Sequence, residues 1–409
     1  MMAYPGLTLL LFGAALLCVV IAAFPFGPYQ LTLMLARKLK ISPSIGGPDT
    51  GSPGSGEKPA DNPEALRFAI CLCAYNEEAV IRQKLENMLS LRDAAGDMEI
   101  LIYVDAASDR TADIIREYGS DVTLVDSDER HGKPWGMNRL VAMTDADIVL
   151  FTDANVMVDP ETIGSLRRHF ADPEIGCVTS HLNYTNPSES ATAEVGSFYW
   201  RLDEWTKGLE TDTGSAMGAD GSLFAIRRHL HRPTPDHLID DLFVSMSILC
   251  KGYRLIRGAD VRAYESHTTI ARDEFKRKIR IACQCIGVHR ALWPELKRLS
   301  AWNLYKYLGH RYIRWIGGYF LLAAALLFAL GLAVGFGFWV MVGVLAALGA
   351  GMLIGSFCKM RLVAQINNVL LAFAGNTLGV WRAYWGEPVV TWDLANSARN
   401  EAPSDQPSR

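Results

Sequence analysis

The sequence predicts an α/β domain, a mostly parallel sheet with flanking helices, attached to transmembrane α-helices. Three observations predict it. Short apolar runs alternate with helically spaced segments from residue 66 onward. The run Ala146-Asp147-Ile148-Val149-Leu150-Phe151 leads straight into Asp153; strands buried on both faces read as continuous apolar runs, and ligands gather beyond their carboxyl ends. Two stretches flanking the domain, residues 1–36 and 315–358, contain no charged residue.

Within the first uncharged stretch, Leu7 to Phe24 is nearly all apolar and long enough for one short or tilted span. A cleaved signal peptide would carry positive charge before its apolar core, whereas Arg37, Lys38 and Lys40 follow it, so residues 1–40 are expected to form a retained anchor. Residues 41–63 turn to Pro, Gly and Ser and read as a flexible linker. The second stretch is long enough for two spans, with Gly331, Gly335 and Gly337 offering a turn. Lys306, Arg311 and Arg314 precede it and Lys359 and Arg361 follow, which puts both ends on the cytoplasmic side of the membrane. The expected topology is an outside N-terminus, a cytoplasmic domain and an out-and-back hairpin. Leu362 to Trp385, interrupted by Gln365, Asn367, Asn368, Asn376 and Arg382, is expected to lie on the membrane as an amphipathic helix rather than to cross it. Residues 301–390 thus form a C-terminal membrane region, and 391–409 a polar tail.

The formal net charge of −4 and the lack of a phosphate-tracking basic run give no support for a nucleic-acid partner, and none is expected. Among eight cysteines there is no Cys-x-x-Cys pair, so neither zinc nor a disulfide is expected; Cys71 and Cys73 alternate on a strand and share a face, as core thiols do. The apolar spans hold no acid or base to mark a transport pathway, which disfavours a channel or transporter.

Taken in order, Leu66–Ala74 reads as a strand and Glu78–Leu91 as a helix with Val80, Ile81, Leu85, Met88 and Leu89 on one face. Glu99–Val104 is a strand ending at Asp105, Thr111–Tyr118 a helix, Val122–Val125 a short strand and Trp135–Met143 a helix. After the strand ending at Asp153, Glu161–Phe170 reads as helix, Gly176–Leu182 as strand and Glu194–Leu209 as helix. Arg227–Pro235 breaks the pattern; Asp240–Cys250 resumes a helix, and Phe275–Trp293 is a basic amphipathic one. Residues 64–230 and 231–300 form the two halves of the soluble domain.

Four motifs sit at strand ends: Ala74-Tyr75-Asn76-Glu77-Glu78, Asp105-Ala106-Ala107-Ser108-Asp109-Arg110-Thr111, His131-Gly132-Lys133 with Asn138, and Asp153-Ala154-Asn155. In order and spacing they resemble the membrane-anchored family 2 glycosyltransferases of the GT-A fold, a Rossmann-like sheet, over about residues 67–280. The family's second motif is typically Asp-Gly-Ser-Thr-Asp-Gly-Thr, of which Asp105, Asp109 and Thr111 are present.

The resemblance implies a nucleotide-sugar donor, most simply a UDP-sugar, held by Ala74, Tyr75, Asn76, Glu77, Asp105, Lys133 and Asp153, with Asp105 at the base or ribose. Lys133 follows a glycine that lets the backbone approach phosphates. Asp153 is the expected ligand of a divalent cation, Mg²⁺ or Mn²⁺, which one or two carboxylates hold together with substrate phosphates. Asn155 stands where the usual Asp-x-Asp pattern has a second acid, and His267 is a further candidate ligand. Each Asp also has a plainer use, since Asp105 or Asp109 could cap the helix at Thr111.

Gly218, Asp220 and Gly221 lie in a segment resembling the family's acceptor side, which also reads as a loop entering a buried strand. Ile239-Asp240-Asp241 matches the position of the family's base; inverting transfer needs a group to take the acceptor hydroxyl's proton, here Asp241, with Asp240 as second candidate. Arg277 and Arg280 occupy the Gln and Arg places of the Gln-x-x-Arg-Trp motif of cellulose, chitin and hyaluronan synthases, while Ile281 replaces its Trp. The missing platform argues for single addition to a lipid-linked or glycan acceptor at the membrane, within a polysaccharide-building system, over processive synthesis. A silent scaffold in a synthase complex is the remaining alternative.

Overall fold

The computed structural model describes residues 4–41, 65–185, 191–265, 271–358 and 360–386, with backbone alone at 191–198 and 271–274. The expected linker beyond residue 41, His267 and the polar tail lie outside the described residues.

Two helices, α1 (Pro5–Ala23) and α2 (Pro28–Lys38), precede the soluble domain. The chain then runs β1 (Phe68–Ala74), α3 (Ile81–Ala95), β2 (Met98–Asp105), α4 (Thr111–Arg116), β3 (Thr123–Ser127), α5 (Lys133–Val141), β4 (Ile148–Thr152), β5 (Met157–Val158) and α6 (Thr162–Phe170). It continues as β6 (Ile175–Tyr184), α7 (Ala191–Asp212), β7 (Leu223–Arg227), α8 (Asp240–Cys250), β8 (Arg254–Glu265) and α9 (Ala271–Leu296). Last come α10 (Ala301–Tyr307), a π-helical turn at Leu308–Tyr312, α11 (Ile313–Phe336), α12 (Phe338–Phe357) and α13 (Arg361–Trp385).

The eight strands form one sheet in the order β3-β2-β1-β4-β7-β6-β8-β5. The first four pair in parallel; β7 runs antiparallel between β4 and β6, and β8 is again parallel to β6. Hence the carboxyl ends of β1, β2, β4, β6 and β8 and the amino end of β7 all open on one edge. Every residue of β1 and β4 is buried, as the unbroken apolar runs require. Phe68, Ile70 and Leu72 pack with Ile81, Leu85 and Met88 of α3 and Leu166 of α6 on one face. Ala69, Cys71 and Cys73 pack with Met137 and Leu140 of α5 and Val244 and Ile248 of α8 on the other, the two-residue alternation of a strand.

Two departures from the sequence reading have physical causes. Helix α3 begins at Ile81, three residues late, because Glu77 and Glu78 are engaged in a loop. Strand β7, by contrast, follows the reading, since it emerges from the segment read as a loop entering a buried strand. Strand β8 was not expected at all: Arg254, Arg257 and Arg262 break its apolar pattern, yet Arg257 is accommodated by Glu204 at 2.7 Å.

Pro5–Phe26, Ala301–Phe336 and Phe338–Phe357 are long and apolar enough to cross a membrane. Helix α1 lies along α11, and α11 turns into α12 at Gly337, whose φ of +95° suits glycine. Helix α13, not one of those three stretches, lies along α9, with Gly379 against the Ile279 carbonyl. Leu242, Phe243 and Met246 of α8 share a core with Ile286 and Leu292 of α9, Trp315 of α11 and Val380 of α13, which joins the sheet domain to the apolar helices.

Candidate active site

The loops after β1 and β2 are laced together. Asn76 Oδ1 accepts from Ser108 N at 2.7 Å, Glu77 N donates to Thr111 Oγ1 at 2.7 Å, and Glu78 accepts from Arg110 N at 2.9 Å. Asn76 and Ala106 both have φ of +53°, backbone strain of the kind that gathers at functional edges. Asp109 accepts from Thr111 N at 3.0 Å and so shapes the turn just before α4, while no side chain caps the helix itself. Ala74 is buried at the end of β1, and the ring of Tyr75 lies under the Arg130 guanidinium, 3.5 Å away.

Asp105 is fully buried beneath the next turn, accepting from His131 N at 2.8 Å, Gly132 N at 3.2 Å and Tyr103 Oη at 3.1 Å. It therefore holds the turn that delivers Lys133. Asn138, from the same motif, clamps both backbone groups of Thr234, in the loop that leads to Asp240.

Lys133 Nζ lies 2.8 Å from Asp153 Oδ1 and 3.6 Å from Asp240 Oδ2. Burial would lower its pKa, but the carboxylates of Asp153 and Asp240 outweigh burial and hold it well above the usual lysine value. Below the Asp153 loop, buried Lys84 donates to Thr152 Oγ1 at 3.0 Å and Val156 O at 2.5 Å, and burial brings its pKa down to about 7. Asn155 donates its side-chain amide to Glu265 Oε1 at 3.1 Å. Burial first, then the charges of Asp153 and Asp220, push Glu265 up to about 7, with Arg277 opposing.

Asp240 and Asp241 begin α8. Asp240 is buried, and its Oδ2 has no hydrogen-bond partner. Burial, then the neighbouring Asp240 and Asp220, push Asp241 up to about 7, against Lys133 and a hydrogen bond from Leu242 N at 2.5 Å. Gly221 lies so close that a Cβ there would sit 2.9 Å from Asp241 Oδ2. Asp220, one residue earlier, accepts from Ser222 N at 3.0 Å and stands 3.9 Å from Lys207. Gly218 has φ of +102° and its Cβ position faces Leu242 and Arg311. Arg280 on α9 donates to Gln284 at 3.4 Å; burial, then Arg277, lower its pKa, while Asp153 and Asp241 act the other way. The residues expected to act together thus share one edge, Asp153, Lys133, Asp240, Asp241, Asp220 and Gly221 most tightly.

The loop carrying Gly218 and Asp220 is suspended from the segment that leads into α11. Trp302 donates to Thr213 O at 3.0 Å, Lys306 to Ser215 O at 2.6 Å, and Arg311 to Met217 O and, at 3.1 Å, to Gly218 O. His310, in the π-helical turn, bridges Asp203 at 3.1 Å and Glu210 at 2.8 Å.

The sequence reading missed Glu265, Arg130 and Lys84. Glu265 had a usable signal, because β8 ends at an acid as β2 does; the three arginines hid the strand.

Among the described residues no three His, Cys, Asp or Glu side chains form a ready-made metal cage. The donors present nonetheless suit a hard cation that takes its remaining ligands from a diphosphate: the carboxylate of a partly exposed Asp153 and the amide oxygen of Asn155, at a place where the Lys133 ammonium already sits between Asp153 and Asp240.

Residues 69–233, from β1 to the loop after β7, match the family model described as Glycosyl transferase family 2. The chain carries a family 2 glycosyltransferase domain. This domain resembles the hyaluronan synthase of Streptococcus pyogenes serotype M3, 22% identical over 46% of this chain and 46% of that protein. It also resembles a poly-beta-1,6-N-acetyl-D-glucosamine synthase of Staphylococcus epidermidis, 30% identical over 30% of each chain. The chain thus spans less than half the length of the curated relatives it matches. Among solved structures, a mannosyltransferase from Pyrobaculum calidifontis in complex with GDP-Man and Mn²⁺ superposes with a TM-score of 0.64 at 21% identity, covering 92% of this chain and 99% of that one. That likeness extends the GT-A fold well beyond the family 2 match.

Proposed function

We propose that this chain is a metal-dependent, inverting glycosyltransferase that moves a sugar from a nucleotide-sugar, a UDP-sugar in the simplest case, to a hydroxyl of a lipid-linked acceptor at the membrane surface. The observation that carries the reading is the placement of Asp241 at the start of α8, against Gly221 and beside the Lys133–Asp153 pair. In this reading the acceptor oxygen bonds to the anomeric carbon as its proton passes to Asp241. The bond from that carbon to the diphosphate breaks, and the nucleoside diphosphate leaves with the electron pair. An aspartate pushed up to about 7 suits a base working near neutral pH.

The other groups follow from their positions. Lys133, Arg277 and Arg280 supply positive charge for the leaving diphosphate. Asp153 and the Asn155 oxygen would hold the divalent cation, which neutralises diphosphate charge when bound. Asp105 sets the turn of Lys133, and Tyr75, Asn76 and Glu77 belong to the laced loops that face the donor. Gly218, Asp220 and Gly221 line the acceptor side, with Asp240 behind them as the second candidate base. In this reading the edge faces the cytoplasmic side of a bacterial inner membrane, a placement the basic residues flanking the apolar helices support, and a complex that builds polysaccharide would supply the acceptor and take the product there.

A processive synthase is the second reading, favoured by the polymer-making names of the two relatives. Against it, Ile281 stands in the aromatic's place and packs on the core shared by α8 and α9. The test is turnover of a panel of UDP- and GDP-sugars by the purified chain in lipid nanodiscs with membrane extract as acceptor, with and without EDTA. EDTA-sensitive turnover of one donor with short products is expected. Long polymer from donor alone would install the processive reading, and no turnover of any donor would overturn both.

A further inference from the structure

Resting on the reading above, we infer that Glu265 is a positioning residue that turns Asn155 into a working cation ligand, standing in for the acid that the Asp-x-Asn sequence lacks. Three features carry it. Glu265 ends β8 on the same sheet edge as Asp153, because β8 is parallel to β6 and β5 joins the Asp153 loop to β8 through Met157↔Tyr264. The Asn155 amide group donates to Glu265 at 3.1 Å. With the NH₂ end of the amide held by Glu265, Oδ1 is the end that faces away and is left to meet a cation. Third, the structure already draws a cation to this place: the Lys133 ammonium stands between Asp153 and Asp240, and Asp240 Oδ2, on a residue only 6% exposed, has no hydrogen-bond partner.

The chemistry follows from these contacts. An amide is a weaker ligand than a carboxylate because it is neutral and because it can turn its donor end toward the metal. Glu265 answers both defects. It fixes the orientation, and its charge polarises the amide so that more negative charge resides on Oδ1, as the partners behind ligating side chains commonly do. The pair therefore places a negative charge one hydrogen bond behind the ligand, where relatives of the Asp-x-Asp pattern place it on the ligand itself.

The test is Mn²⁺ binding to the full-length chain in nanodiscs, read from loss of the free Mn²⁺ EPR signal in the presence of UDP and, separately, GDP. Glu265→Ala is expected to weaken Mn²⁺ binding about 10- to 100-fold. The exchanged pair Asn155→Asp with Glu265→Gln keeps the hydrogen bond with donor and acceptor reversed, and is expected to restore binding to within a few-fold of wild type. Asn155→Asp alone sets two carboxylates against each other and is not expected to improve binding over wild type. Thermal melts without metal show whether each variant is folded; should E265A fail to fold, the exchanged pair carries the test. Wild-type-like Mn²⁺ binding by folded E265A, or a folded exchanged pair that binds no better than E265A, overturns the inference. No Mn²⁺ binding by the wild type overturns it too, while nucleotide binding without Mn²⁺ leaves the transferase reading standing.

Discussion

Lys133 Nζ and Asp153 Oδ1 are 2.8 Å apart, and that contact joins the turn after β3 to the loop after β4. Asp153 brings full charge to this edge while Asn155 brings a neutral oxygen, so the two should differ on substitution. Asp153→Asn should lower turnover by about 10²- to 10³-fold, in the range of losing one transition-state electrostatic contact. Asn155→Ala should cost about 10- to 100-fold. Initial rates on the donor identified in the panel decide it, and equal losses would remove Asp153 from its leading place.

The pH profile should show Asp241. Its pKa of about 7 means that kcat/KM should rise with pH through that value and level off above it, because the base acts ionised. Asp240 and Asp220 both raise that pKa, so Asp240→Asn should shift the acid limb to lower pH if activity survives. Asp241→Asn should lose about 10²- to 10⁴-fold and abolish the limb. An acid limb unchanged in D240N would mean that a different group titrates.

Much of this arrangement is legible in the sequence where one local rule decides it. The strand ends at Asp105 and Asp153 stand out because fully buried strands must be continuous apolar runs, and the start of α8 at Asp240 is marked by two adjacent acids before an apolar stretch. What is not legible depends on partners remote in sequence. Arg257 reads as a strand breaker until Glu204 is seen to neutralise it, and Lys84 reads as a surface residue of α3 until Thr152 and Val156 are seen to enclose it. Asp105 also accepts from Tyr103 Oη and from two backbone amides of the next turn, contacts that no spacing rule announces.

Lys84 should make stability depend on pH. Burial lowers its folded pKa to about 7 from the ordinary lysine value of 10.5, so between those values the unfolded chain binds more protons than the folded one. Unfolding free energy therefore rises with pH across that window. Lys84→Met should remove this rise, and the difference between the two proteins' melting temperatures should change steadily from pH 7 to pH 10. Parallel melting curves for K84M and wild type across that range would show that Lys84 is not the source.

Gly221→Ala tests whether Asp241 must keep the orientation seen here. The new methyl would sit 2.9 Å from Oδ2 and 3.8 Å from the Asp241 Cβ, too close to the oxygen for van der Waals contact but tolerable for the rest of the side chain. The cheapest relief is rotation of the Asp241 carboxyl about its own bonds, which leaves the buried strand at Leu223 undisturbed. The fold should hold, with a melting temperature within a few degrees of wild type, since a displaced side-chain end costs about 1 kcal/mol. Catalysis should fall much more, by about 10- to 100-fold in kcat, because a base displaced by about 1 Å loses the alignment that makes proton transfer efficient. Nucleotide binding, which the proposed function assigns to the loops after β1, β2 and β4, should be unchanged. A variant that keeps full kcat would free Asp241 from any demand on its orientation and pass the role of base to Asp240, whose carboxyl does not touch the added methyl.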